Sequence, residues 1–105
     1  MKNSEQLILN ALRSMTPANE IFEGEKNVPT AGTAVPLGTQ QCKFVTIQAR
    51  SSNTGNIYIG GATISNTQGV ALAAGEAYTL FVVGTDKVYL DADTNGEGVT
   101  YLYGN

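Results

Sequence analysis

The stretch KVYLDADTNGEGVTYLYG, Lys87 to Gly104, contains two competing signals. Its centre, DADTNG, sets Asp91, Asp93 and Asn95 at the first, third and fifth places and Gly96 at the sixth, which is how a calcium-binding EF-hand loop opens. The twelfth place, where such a loop needs a bidentate glutamate, falls on Leu102. The motif is half present. Its flanks, KVYLDA and GVTYLYG, are rich in Val, Tyr and Leu and read as strands. Between two strands Asn95-Gly96 is a strong hairpin signal, because a type I′ turn places both central residues at positive φ. The expectation is therefore a β-hairpin, with a cation site grafted on the turn through Asp91, Asp93 and Glu97 as the rival reading. No metal and no cofactor are expected, and folding should not depend on calcium.

Working outward, every apolar run from Val35 onward is short and bounded by turn residues: AVPL, KFVTIQA, NIYIGG, GVALAAG, EAYTLFVV, KVYLDA and GVTYLYG. Such spacing predicts a mainly β domain over residues 35–105, an antiparallel β-sandwich of jelly-roll-like kind. Period-two alternation predicts that Val45, Ile47, Ala49, Ile57, Ile59, Val88 and Leu90 face the core. EAYTLFVV departs from the pattern, with Tyr78, Leu80 and Val82 on one side and Phe81 and Val83 on the other. A strand apolar on both faces should be covered on both, either as a central strand closed by the N-terminal segment or at a subunit interface. The second option makes Tyr78, Phe81 and Val83 oligomer-interface candidates, and a small core favours such association.

Residues 1–34 read differently. NSEQLILNALRSM, residues 3–15, places Leu7, Ile8, Ala11, Leu12 and Met15 on one face of an expected short α-helix, which Pro17 ends. A helix this short is marginal alone, so its face should dock either on its own domain or on a partner. Residues 16–34 contain two prolines, two glycines and three glutamates without periodicity, and are expected to be an extended arm able to reach a neighbouring subunit.

Composition excludes several functions. Histidine is absent, which removes the usual Ser-His-Asp triads and most zinc sites. Six basic residues stand against nine acidic ones without a basic cluster, so nucleic acid is not an expected partner. No apolar run approaches the roughly 18 residues of a membrane span, so no membrane partner is expected either. Cys42 is the lone cysteine and reads as a small apolar filler. Asp91, Asp93 and Glu97 are the carboxylates a hydrolase would use, but no catalysis is expected. Tyr58, Tyr89, Tyr101 and Tyr103 are aromatics on which a carbohydrate could stack.

Taken together, NTGNIYIGG, GVALAAGEAYTL and KVYLDADTNGEGVTYLYGN resemble the small β-sandwich decoration or cement proteins of tailed bacteriophages. The resemblance covers roughly residues 35–105. It implies a virion structural protein on the outer capsid surface, made in the host cytoplasm, assembled as a homotrimer and clamping the major capsid protein. Leu7, Ile8, Leu12 and Met15 are then the expected capsid-binding residues. The alternative is a carbohydrate-binding module of a head fibre or tail.

Overall fold

Alternation in FVTIQA and IYIG builds the core. A computed structural model describes residues 17–105. Its eight strands are β1 (Ile21–Asn27), β2 (Val35–Pro36), β3 (Phe44–Ala49), β4 (Ile57–Gly60), β5 (Val70–Leu72), β6 (Ala77–Leu80), β7 (Tyr89–Ala92) and β8 (Gly98–Gly104), with one 3₁₀ turn at Thr85–Lys87. The expected helix and its stripe of Leu7, Ile8, Leu12 and Met15 lie outside the described residues.

The strands form two antiparallel four-stranded sheets, ordered β1-β8-β3-β6 and β2-β7-β4-β5. Both sheets contribute to one buried cluster in a sandwich-like arrangement: Val45, Ile47, Ala49 and Val99 from the first, and Ile57, Ile59, Leu72, Leu90 and Ala92 from the second. All seven residues expected in the core are buried there. Branched side chains suit the pleated surface, and each fully buried aliphatic contributes on the order of 1.5–3 kcal/mol.

Three features differ from the sequence reading. The segment expected as an arm is extended, but seven of its residues form β1, paired with β8 from Ile21↔Gly104 to Asn27↔Gly98. Val28, which follows, is fully buried in the core. The periodicity of β1 is hidden because its side of the strand facing Tyr101 carries a glycine. A Cβ on Gly24 would lie 2.5 Å from Tyr101 Cζ, so the ring of Tyr101 covers the position a side chain would fill.

The expected Asn95-Gly96 hairpin is not formed, because β7 and β8 belong to different sheets. Gly96 has φ +81°, no non-glycine residue among the described ones has positive φ, and Glu97 N–H donates to Thr94 O at 3.3 Å. One positive φ at the third turn position fits a type II turn, and a type I′ turn is ruled out. The segment is a crossing between sheets.

Finally, β6 is an edge strand rather than a central one. Leu80 and Val82 pack on the core as their side of the strand predicts. On the other side Phe81 and Val83 are 85% and 74% exposed, and Tyr78, at the rim, is 43% exposed.

Candidate functional site: the acidic crossing and the outer sheet face

Asp91, Asp93, Asn95 and Glu97 each present side-chain oxygens near the crossing, and each oxygen set is met by N–H or O–H donors from distant loops. Asp91 is 2% exposed, and its Oδ1 accepts from Gly32 N at 2.9 Å and Ala92 N at 2.8 Å. The Asp93 carboxylate accepts from the Tyr58 hydroxyl at 2.9 Å and from Asn56 N at 3.1 Å, while Asp93 N donates back to Asn56 O. Asn95 Oδ1 accepts from Ala31 N at 2.7 Å. Glu97 Oε2 accepts from Thr54 N and Oγ1 at 2.6 and 2.9 Å, and its Oε1 from Gly55 N at 2.9 Å. Backbone bonds complete the joint: Val28 N donates to Glu97 O and Gly96 N to Val28 O.

The spacing that resembles a calcium loop therefore does a different task. It ties residues 28–32 and 53–56 to the start of β8, and a carboxylate is suited to this because it only accepts. A cation at the turn would have to displace these donors. Among the described residues no group of three or more His, Cys, Asp or Glu side chains converges as a metal set would.

Electrostatics agree with this arrangement. The N–H groups of Gly55 and Thr54 hold the Glu97 carboxyl below its ordinary value. A glycosidase acid needs the opposite shift, so Glu97 is poorly suited to that role. The hydrogen bond to Asp93 pushes the Tyr58 hydroxyl above its ordinary value. Burial, followed by nearby Asp86, pushes the Cys42 thiol up, and its Sγ donates to Val82 O at 3.2 Å. Cys42 is accordingly a thiol filling space, with little thiolate to react.

A folded pKa below the unfolded one means that Glu97 stabilises the fold above the unfolded value of about 4.3, and that this contribution disappears as pH falls through the lowered value. Glu97→Gln should therefore flatten the acid limb of a plot of stability against pH, below about pH 5. Urea midpoints measured across that range check it; parallel acid limbs for the two proteins would contradict the role assigned to Glu97.

The other sequence candidates are dispersed. Tyr58 is committed to Asp93, Tyr101 covers Gly24, and Tyr103 stacks on Phe22 with ring centroids 5.4 Å apart. Tyr78, Phe81 and Val83 lie along β6 and its continuation, with Phe81 and Val83 on the outer face and Tyr78 on the opposite one, in the row of Ile47. Phe81 falls beside Phe44, since Leu80 pairs with Val45 and the same register persists to the Gln41–Gly84 bridge. Phe44 in turn pairs with Gly104, and Gly104 with Ile21. The outer face of the first sheet thus has an apolar end, carrying Ile21, Phe44 and Phe81. Two rows further along it is polar, with Glu25, Thr100 and Gln48 aligned. The contributions of Ile21 and Phe44 were not legible in the sequence, because they depend on which strands become neighbours. Compared with protein-family models, curated proteins and solved structures, the chain matches none.

Proposed function

We propose that this chain is a non-enzymatic virion structural protein of the capsid-decoration class, a jelly-roll-like β-sandwich that associates as a homotrimer and grips the major capsid protein on the outer shell. The fold part is supported by the ladders β1·β8, β2·β7, β3·β6 and β4·β5, all antiparallel. These are the rungs of one long hairpin rolled into two sheets, an architecture that viral capsid and lectin domains use. Fold alone does not choose a function. The observation that carries the assembly reading is the 85% exposure of Phe81 at the apolar end of the outer sheet face. Large exposed apolar clusters mark interaction surfaces, and an aromatic anchor is typical of the residues that dominate an interface.

In this reading Tyr78, Phe81 and Val83 pack against the neighbouring copy. Leu7, Ile8, Leu12 and Met15 contact the shell, where many copies acting together give firm attachment from weak single contacts. Light scattering on the full chain should give three times 11.0 kDa. Phe81→Asp should weaken the trimer by about 2 kcal/mol per interface or more without changing the β spectrum. Leu12→Asp should trimerise normally but co-sediment poorly with undecorated shells. A wild-type monomer at micromolar concentration would overturn the assembly reading.

A further inference from the structure

At the rim between the two sheets lies a cleft of about 500 Å³ lined by Phe22, Thr39, Gln40, Gln41, Tyr103 and Asn105. This is within the range of small-molecule sites. It shares no lining residue with the acidic crossing or with the Phe81 patch. We infer that this cleft is a binding site for a neutral oligosaccharide, with Phe22 and Tyr103 supplying ring surface and Gln40, Gln41 and Asn105 supplying hydrogen bonds to hydroxyl groups. The inference does not depend on the assembly reading.

The first reason is chemical. None of the six lining side chains carries a formal charge, so the cleft offers little to a phosphate, a carboxylate or a metal ion. A neutral ligand remains. Each glutamine and asparagine side chain carries two N–H donors and a carbonyl acceptor, which together match a hydroxyl that both donates and accepts. The two rings are half-buried and stacked at 5.4 Å with an interplanar angle of 24°. An aromatic face is electron-rich and attracts the weakly positive C–H face of a sugar ring.

The second reason is preorganisation. Main-chain groups hold the glutamine loop in place. Gln40 N donates to Thr85 Oγ1 at 2.9 Å, Thr85 N donates to Gln40 O at 2.8 Å, and Gln41 bridges to Gly84. Thr85 is fully buried, so this anchor belongs to the core. The loop backbone is thus fixed while the Thr39, Gln40 and Gln41 residues stay exposed. A site whose backbone is already ordered loses less entropy on binding.

The test is a titration of the isotope-labelled full chain with cellotetraose, maltotetraose and chitotetraose, followed by backbone and side-chain amide resonances. The expected result is saturable shifts at Gln40, Gln41, Tyr103 and Asn105 with at least one of them, with Kd of about 1 mM. Binding should change little between low and high salt, because none of the lining side chains is charged. Gln40→Ala and Gln41→Ala should each weaken it about tenfold while preserving the fold, since the anchoring bonds of the loop use main-chain atoms. Tyr103→Ala should abolish it, with Tyr103→Phe retaining it as evidence that the ring rather than the fold is responsible. Absence of saturable shifts with all three sugars, shifts mapping elsewhere, or binding indifferent to both glutamine variants would each overturn the site.

Discussion

Asp91→Ala is expected to lower the unfolding free energy by about 1–3 kcal/mol, because the 2%-exposed carboxylate meets the N–H groups of Gly32 and Ala92. The Ala92 N–H is buried, and a buried donor left without an acceptor costs about 1–3 kcal/mol, whereas the Gly32 N–H lies in an exposed loop and can turn to water. The effect should be visible as a fall in the urea midpoint at constant slope, and as a fall in Tm of roughly 4–8 °C per kcal/mol for a domain of this size. Asp91→Asn keeps one acceptor oxygen and should lose about half as much. Hydrogen exchange gives an independent reading, since the Gly32 amide should lose protection before the amides of β3 and β4. A loss below about 0.5 kcal/mol would mean that the loop carrying Gly32 is held by something other than Asp91.

That residue also illustrates what a sequence can and cannot reveal. The alternation that buries Val45, Ile47, Ala49, Ile57 and Ile59 is a local property of a pleated strand, so the core was legible before any fold was known. The part played by Asp91 was not, because its donor Gly32 lies 59 positions away, and the Thr54 donor to Glu97 lies 43 away. A turn rich in acceptor side chains looks the same whether it collects a cation or the N–H groups of neighbouring loops. The Asn95-Gly96 pair misled for a related reason. It reports that the backbone can turn sharply, and it does turn at Gly96, but it carries no information about which sheet the next strand joins.

The strand EAYTLFVV gives a mixed outcome. Its two-sidedness correctly separates Leu80 and Val82, which pack on the core, from Phe81 and Val83, which do not. Coverage of the second side does not follow from apolarity within the described residues, since β6 lies at a sheet edge. The same limit applies to the rim cleft. Gln40, Gln41, Phe22 and Tyr103 come from three separate parts of the chain, and no spacing connects them. Only the strand pairing Phe22↔Tyr103 places the rings side by side.

A strongly disruptive small substitution should be Gly98→Ala, at the first residue of β8. A Cβ there would lie 2.1 Å from Lys26 O and 2.7 Å from Asn27 Cα, closer than real Cβ atoms approach. The obstacles are backbone atoms of β1, so no side-chain rotation relieves the clash. The Gly98 carbonyl also accepts from Arg50 N at 3.2 Å and Asn53 Nδ2 at 2.9 Å, which resists movement of β8 in the other direction. The strand with freedom to move is β1, which among the described strands has a neighbour on one side only. Alanine should therefore separate β1 from β8 near Asn27 and loosen Val28 from the core, costing about 3 kcal/mol or more, at the upper end of overpacking effects. Gly61→Ala is the matched control, because nothing lies within 4 Å of its added Cβ and its stability should change by less than about 0.5 kcal/mol. Amide exchange should show β1 deprotected in the Gly98 variant while β4 and β7, in the other sheet, remain protected. If the variant is as stable as wild type and β1 keeps its protection, the close approach of β1 to β8 is not what excludes a side chain at residue 98, and the sheet does not depend on β1 for its edge.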